Sequence, residues 1–352
     1  MTKRSRSYIA TPPGATIKEQ LENRGMTQKE FALRMSLSEK HISHLINGDV
    51  QLTADVANRL ETVLGIPAKF WNNLEAIYRE KLAKVAAENS IEDDIATMRC
   101  FPYNEMANNK WILKTSNPIE RVLSLRSFFE VVELSKMLDK NLVPQIAYRR
   151  QATTEKADFA LLAWSQKAKL EARKQDVLHI NIDKLNTLLP EIRSMTTKSP
   201  EVFCTYLIEE LSKCGVAIVF LPHIGGSFLH GATFYDKNKI VVGLTVRGKD
   251  ADKFWFSLFH ELGHIVLGHL NQNGTTEEDE KAADEFAKEQ LISKSDFEKF
   301  VSKNSFSADD IIDFAKKIDI APGIVVGRLQ KEGHIKFSWH NKLKERYSIT
   351  TQ

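Results

Sequence analysis

The residues from His260 to His264 read His-Glu-Leu-Gly-His, and this motif constrains the chain more than any other segment. On a helix, His260 and His264 lie four residues apart and share a face, so two imidazole nitrogens can converge on one metal ion. Glu261 lies one step round the helix, where its carboxylate can take a proton from a zinc-bound water. The motif therefore predicts a helical Zn²⁺ site with Glu261 as the catalytic base.

Apolar residues flank this motif on both sides, at 254–259 and at 265–267. A helix that is apolar all round is buried. Burying two imidazoles and a carboxylate is costly unless something binds them, and a zinc ion would satisfy all three. The alternative interpretation is a pair of hydrogen-bonded core histidines beside a chance glutamate.

The third metal ligand is not another histidine in the same motif. A catalytic zinc ion commonly takes three protein ligands and leaves one position for water. The extended pattern H-E-x-x-H-x-x-G-x-x-H supplies its third ligand as histidine. In this chain Leu267 and Leu270 stand where that pattern needs Gly and His. His269 is one residue out of place, and the sequence assigns it no role beyond that of a neighbour.

Glu280 is the better third ligand. It shares a helix face with Ala283 and Ala287, which small apolar side chains mark as inward. An inward carboxylate needs a partner, and the metal provides one. Asp284, one turn further on, can hold a ligating histidine through its second ring nitrogen. The alternative for Glu280 is a solvated helix start, because the acidic residues at 277–279 also favour a helix N-terminus.

A β-rich region precedes the zinc motif. Residues 216–221 form an apolar run, and the segments 230–235 and 240–244 flank a polar stretch, which predicts a hairpin. The first strand of that hairpin is the candidate edge on which an extended substrate adds as a further strand. Its residues are His230, Gly231, Ala232, Thr233 and Phe234.

The arrangement H-E-x-x-H, followed about twenty residues later by E-x-x-x-D, resembles the glutamate-zincin peptidases. More closely, it resembles the ImmA/IrrE family of bacterial metallopeptidases, also through His230-Gly231-Ala232, Phe286-Ala287 and the segment 320–329. The resemblance spans roughly residues 200 to 335. It implies a zincin-like domain, a Zn²⁺ cofactor, and cleavage of a specific protein, often a transcriptional repressor of the same cell or mobile element.

The N-terminal region predicts a helix-turn-helix unit. Between Thr16 and Leu64 four short helical patterns are separated by turn signals, and residues 27–47 fit two helices joined by a tight turn. Polar side chains on the second of these helices can reach base edges and phosphates, and one at the start of the preceding helix can meet the backbone. The candidate DNA contacts are Gln28, Ser38, Glu39, Lys40, His41, Ser43, His44 and Asn47.

This region looks like the helix-turn-helix of the Cro/C1 repressors, and its extension through residues 66–75 resembles the HigA-type antitoxins. The resemblance implies a self-repressing unit that binds a DNA operator, commonly as a homodimer. Residues 1–80 hold eleven Lys and Arg against nine Asp and Glu. Because phosphate binding depends on local positive charge, this thin excess leaves a protein-docking or dimerising module as the alternative.

Length and composition complete the predicted organisation. A chain of 352 residues is too long for one core. We expect a helix-turn-helix domain at 1–87, a helical linker at 88–200 and an α+β zinc metallopeptidase domain at 201–352, so the fold is mainly α with a small β element. No apolar stretch is long enough to span a membrane, and the N-terminus lacks the apolar core of a signal peptide. A cytoplasmic location without a membrane partner is the expectation.

Two functions fit these patterns. The first is a zinc metallo-endopeptidase, a hydrolase coupled to sequence-specific DNA binding, which cleaves a partner regulatory protein to control transcription. That protein substrate would be a repressor or a toxin–antitoxin partner. The second is a HigA-like antitoxin or transcriptional repressor whose peptidase-like domain only senses or binds a partner.

Overall fold

The computed structural model describes residues 9–138, 155–225, 230–245, 249–270 and 275–348. The chain divides into two compact units, Met1–Ile95 and Ala96–Gln352. The predicted fold class, mainly helical with one small sheet in the C-terminal half, is confirmed. No helix in the described ranges combines the length and the apolar character that crossing a membrane requires.

The first unit is all helical, and its helices begin and end at capping residues. Thr27, Ser38 and Thr53 each accept a hydrogen bond from the backbone N–H three residues further on, which satisfies a donor that the helix start leaves free. Gly48 and Gly65 end two helices in the left-handed conformation. The helices are α1 (Pro13–Asn23), α2 (Gln28–Met35), α3 (Glu39–Asn47), α4 (Ala54–Leu64) and α5 (Ala68–Met98), which begins in this unit.

One core holds the first unit together. Phe31, Ala32 and Met35 of α2 are buried in it, as are Ile42 and Leu45 of α3, and Ile46 is half-buried. Gly14 of α1 lies against the backbone of Ile46, where a β-carbon would collide with the carbonyl oxygen, so α1 and α3 approach closely. The largest members of this core are Ile17, Phe31, Met35, Ile42, Leu60 and Trp71.

The second unit packs helices around a three-stranded sheet. Strand β1 (Val216–Phe220) pairs in parallel with β3 (Lys239–Leu244), and β3 pairs antiparallel with β2 (Gly231–Asp236), which gives the order β1-β3-β2. The predicted hairpin is therefore confirmed. Its helices are α6 (Tyr103–Asn108), α7 (Pro118–Phe129), α8 (Glu155–Ala172), α9 (Ile182–Ser194), α10 (Pro200–Ser212), α11 (Ala251–Val266), α12 (Glu277–Leu291), α13 (Lys294–Val301), α14 (Ala308–Lys317) and α15 (Pro322–Lys331).

Helix α9 shares a core with α11, although the sequence placed it in the linker region. Leu185 and Ile192 of α9 belong to the same buried cluster as Trp255 and Phe259 of α11. The three-part division of the chain stays a prediction. Within the second unit, residues before 200 contribute directly to the support of the zinc-motif helix.

The C-terminal segment fixes the start of α11. Lys344 donates to Asp252 at 2.8 Å, and both side chains are nearly buried. The indole N–H of Trp255 donates to the hydroxyl of Tyr347 at 3.1 Å, and the backbone N–H of Ala251 donates to the Glu345 carbonyl. These contacts hold the first turn of the helix that carries the histidines.

Candidate metal centre and DNA-contact helix

Helix α11 carries the zinc motif on a largely buried segment. Phe254, Leu258 and Ile265 are buried, as their all-round apolar pattern predicts. Within the motif, Glu261 is 5% exposed and His264 is 1% exposed, while His260 keeps more contact with solvent. The motif therefore lies at the edge of the core, with one histidine reachable from outside.

Helix α12 brings the predicted third ligand to this edge. It begins with a capping box between Thr276 and Asp279, and Glu280 follows on the buried face with Ala283 and Ala287. The two helices approach closely at Gly263, where an added β-carbon would lie 2.9 Å from the Phe286 ring. This approach lets a carboxylate from α12 reach the histidines of α11.

The ligand atoms of His260, His264 and Glu280 all lie within 4.8 Å of one another. The two Nε2 atoms are 3.1 Å apart. The Glu280 carboxylate reaches them through Oε2 at 3.3 Å from His260 Nε2 and Oε1 at 3.5 Å from His264 Nε2. Two imidazoles and one carboxylate thus converge on a single point, as a metal site requires.

A metal ion fits this donor set. Oε2 of Glu280 is buried and accepts no well-aligned hydrogen bond within the described parts of the chain; its polar neighbour is Nε2 of His260 at 3.3 Å, itself a predicted ligand atom, so this acceptor is left for a cation. Oε1 accepts from the Thr275 hydroxyl at 2.7 Å, which orients the carboxylate. Two nitrogens and a carboxylate oxygen form a donor set that catalytic zinc sites use.

Asp284 lies beside His260, one of the two predicted histidine ligands. Its Oδ1 lies 2.8 Å from Nδ1 of His260, on the side of the ring away from the other two ligand residues. A carboxylate in this position fixes the orientation of an imidazole and increases its basicity.

The ionisable groups of the site influence each other strongly. Burial opposes the charged form of His260, but the adjacent carboxylates of Asp284 and Glu280 outweigh it and raise the pKa of His260 to about 10. Burial and the neighbouring His260 charge lower the pKa of His264. Burial raises the pKa of Glu261 to about 7. The site thus holds a carboxylate that can exchange a proton near neutral pH.

Strand β2 contacts Glu261 directly. The hydroxyl of Thr233 donates to Oε2 of Glu261 at 2.5 Å, and both groups are buried. Gly231 provides the space for this carboxylate, because a β-carbon there would lie 2.7 Å from Oε1. Sequence reasoning placed Gly231 and Thr233 on the substrate edge but missed these contacts, which join residues far apart in the chain.

The candidate edge strand, β2, is one of the two outer strands of the sheet in the order β1-β3-β2. Within the described residues β2 pairs only with β3, through residues 231–236. Ala232, Thr233 and Phe234 are buried, so their side chains do not form an exposed surface. Tyr235, further along the strand, is 54% exposed.

His269 is a member of the site that the sequence did not assign. Its Nδ1 lies 3.1 Å from Nδ1 of His264, and its Nε2 lies 3.6 Å from Oδ1 of Asp279. Gly268, whose φ is 73°, ends α11 and turns the chain back toward the site. A glycine directly after a helix was the available signal for this turn.

The candidate DNA contacts lie in the first unit, on and around α3. Most are exposed, and His41 and His44 are half-buried. The Ser38 hydroxyl caps α3 by accepting from the His41 backbone N–H, and His44 Nδ1 lies 3.1 Å from Oδ2 of Asp49. Gln28 is exposed at the first position of α2. The exposed members of this set are accessible, whereas Nε2 of His41 is buried, and the role of all these residues in DNA binding stays a prediction.

The fold and site define a helix-turn-helix protein with a peptidase-like domain, and comparison with known proteins agrees. A helix-turn-helix family model matches residues 17–71, and the model of the IrrE N-terminal-like domain, a peptidase family, matches residues 226–316. The chain is 33% identical over 63 residues to the uncharacterized HTH-type transcriptional regulator YddM of Escherichia coli (strain K12), across 18% of this chain and 67% of that protein. The chain therefore belongs to the Cro/C1-type helix-turn-helix regulators and carries an IrrE-like peptidase-family domain.

Proposed function

We propose that this protein is a zinc-dependent endopeptidase coupled to a sequence-specific DNA-binding domain, and that it cleaves a partner regulatory protein to control transcription. The observation that carries the proposal is the convergence of His260, His264 and Glu280 beside Glu261. A buried set of two imidazoles and two carboxylates is costly to maintain without a cation.

Zinc is the metal that best suits these residues. Two histidines and one glutamate are three protein ligands, which leaves a position for water in a four-coordinate site. When bound, zinc lowers the pKa of a coordinated water and polarises the scissile carbonyl. His260 is oriented by Asp284 and Glu280 by Thr275, so the ligands are held before the ion arrives.

Glu261 moves the proton in the proposed reaction. Its carboxylate accepts a proton from the attacking water as the new carbon–oxygen bond forms. It then gives that proton to the leaving amine as the peptide carbon–nitrogen bond breaks. The raised pKa of Glu261, about 7, suits a group that must both take and release a proton near neutral pH. Thr233 holds one oxygen of this carboxylate in place.

The substrate is a protein segment in extended conformation. The outer edge of β2 offers backbone groups that such a segment can pair with, and β2 lies directly beside Glu261. Because pairing along an edge uses backbone groups, a folded helix cannot bind in this way. The target is therefore cut in an exposed loop or linker.

The first unit would bring this activity to an operator. The exposed polar side chains of α3 suit the major groove, and we infer a homodimer because operators read by such units are commonly symmetric. Under this proposal the partner is a repressor or a member of a toxin–antitoxin pair that acts at the same DNA.

The test compares newly formed protein N-termini in cells that express the wild type or Glu261→Gln. This variant retains the size of the side chain and one oxygen that can accept from Thr233, but it cannot take the proton. We expect one or a few N-termini that appear with the wild type and are absent with Glu261→Gln, in products of genes near the operator. Equal cleavage by both proteins would contradict the proposed mechanism.

A second function has a specific observation in its favour. Glu261 is buried and bonded to Thr233, an environment that also suits a structural carboxylate, and the similar YddM protein is described as a transcriptional regulator. The protein would then be an antitoxin or repressor whose peptidase-like domain binds a partner without cutting it. In that case the Glu261→Gln variant represses an operator-linked reporter as fully as the wild type and is relieved under the same conditions. No cleaved partner is then found in cells that express either protein.

A further inference from the structure

We propose that His269 is a positioning residue of the metal centre, which fixes the tautomer and orientation of His264, and that Asp279 fixes His269 in turn. The inference rests on the proposed zinc site and adds residues to it. Its basis is the chain of three side chains in which His269 Nδ1 lies 3.1 Å from His264 Nδ1, and His269 Nε2 lies 3.6 Å from Asp279 Oδ1.

The direction of the His264–His269 hydrogen bond follows from the metal-facing side of His264. Its Nε2 faces Nε2 of His260 at 3.1 Å and Oε1 of Glu280 at 3.5 Å. A nitrogen that binds a metal carries no proton, so neutral His264 bears its proton on Nδ1. That N–H points at Nδ1 of His269, which is then the acceptor. His269 consequently carries its own proton on Nε2, on the side of Asp279.

His269 is not itself a candidate ligand in this arrangement. Its Nδ1 contacts Nδ1 of His264, whereas Nε2 of His264 is the atom that faces the other two predicted ligand residues. Its ring therefore lies behind His264, as Asp284 lies behind His260. Each of the two predicted histidine ligands thus has a partner at its Nδ1, a carboxylate for His260 and an imidazole for His264.

The end of α11 holds His269 in this position. The backbone N–H of His269 donates to the His264 carbonyl at 2.9 Å, across the left-handed turn at Gly268. The same two residues are thus joined through backbone and side chain. Asp279 is fixed independently, because its other oxygen accepts from the Thr276 backbone N–H at 2.8 Å in the capping box of α12.

An imidazole acceptor suits this position electrostatically. Glu261, Glu280 and Asp284 already place three carboxylates at or beside the site. A fourth carboxylate directly behind His264 would add repulsion at short range. The His269 ring offers Nδ1 as the acceptor without placing a carboxylate there, and it keeps the Asp279 carboxylate one ring further from His264.

The test measures zinc affinity of the full-length protein by competition with a chromophoric chelator at one fixed pH. Leucine at position 269 removes the acceptor, and we expect His269→Leu to weaken zinc binding about 10–100-fold. Asparagine can place its amide oxygen near the position of Nδ1, so His269→Asn should remain within about threefold of the wild type on the same scale. His179→Leu, at an exposed histidine of the same unit, is the matched control and should bind zinc like the wild type.

The outcomes separate this inference from the zinc site itself. If the wild type does not bind zinc, both fail. If the wild type binds zinc and His260→Ala does not, but His269→Leu binds as tightly as the wild type, only the role of His269 is refuted. Equal weakening in His269→Leu and His269→Asn would also refute it, because loss of shape rather than loss of an acceptor would then be the cause. Melting temperatures of the metal-free variants are measured alongside, and if His269→Leu is unfolded, His269→Asn decides.

Discussion

Gly263→Ala tests whether the close approach of α11 and α12 assembles the metal centre. The added methyl group would lie 2.9 Å from Cδ1 of Phe286 and 3.4 Å from Cα of Ala283. The first distance is too short for a carbon–carbon contact, so the Phe286 ring or the helix must move. Because Glu280 lies on the same helix one turn before Ala283 and Asp284, a shift of α12 also moves a ligand.

The expected magnitude combines two opposing effects. Overpacking of a buried contact costs about 1–3 kcal/mol. Alanine is favoured over glycine in a helix by about 1 kcal/mol, which offsets part of that cost. We therefore expect a net destabilisation of about 1 kcal/mol in the metal-free protein, or a melting temperature lower by about 2–4 °C for a unit of this size. Zinc affinity should fall about tenfold, because the position of Glu280 depends on the contact.

Thermal unfolding of the metal-free protein and chelator competition for zinc measure the two effects. Phe286→Leu alone gives the baseline, and the double variant Gly263→Ala with Phe286→Leu should recover most of the lost affinity because the smaller side chain vacates the contact. Unchanged or increased stability in Gly263→Ala, together with unchanged zinc affinity, would refute the role assigned to this helix contact. Failure of the double variant to recover would show that the Phe286 contact is not the cause.

Three further predictions follow from other contacts. Lys344→Met leaves the nearly buried Asp252 carboxylate without its cation and should lower the free energy of unfolding by about 3 kcal/mol in chemical denaturation. A difference in unfolding free energy below the error of the measurement would contradict the role of Lys344 in holding the start of α11. Since the pKa of His260 is about 10, zinc binding near neutral pH should release about one proton, and the zinc affinity should fall as the pH falls. Calorimetry in buffers of different ionisation enthalpy measures the number of protons released. Zinc binding without proton release would contradict this prediction. Lys40→Ala should weaken binding to all DNA sequences alike and reduce the salt dependence by about one charge; a loss restricted to one operator would instead assign Lys40 to base recognition.

The features set by local periodicity could be predicted from the sequence. His260 and His264 share a helix face because they are four residues apart. The small residues Ala283 and Ala287 indicate that Glu280 points inward. The hairpin followed from two apolar runs around a polar stretch. In each case the pattern and the contact lie within one element or between neighbouring elements.

The contacts that could not be predicted join distant parts of the chain. Thr233 and Glu261 are 28 residues apart, and their hydrogen bond depends on how β2 packs against α11. The central position of β3, parallel to β1, depends on a crossover that periodicity does not encode. His269 matched no spacing typical of zinc ligands. Its contact with His264 depends on the left-handed turn at Gly268 after the helix, and helical periodicity does not encode that turn.

The most direct measurement is the metal content of protein purified without added metal, for the wild type and for His260→Ala and Glu280→Ala. We expect about one zinc ion per wild-type chain and loss of that ion in both variants, because each removes one of three ligands. A wild-type protein that contains no zinc and gains no thermal stability when zinc is added would contradict the metallopeptidase account and leave the chain as a DNA-binding regulator.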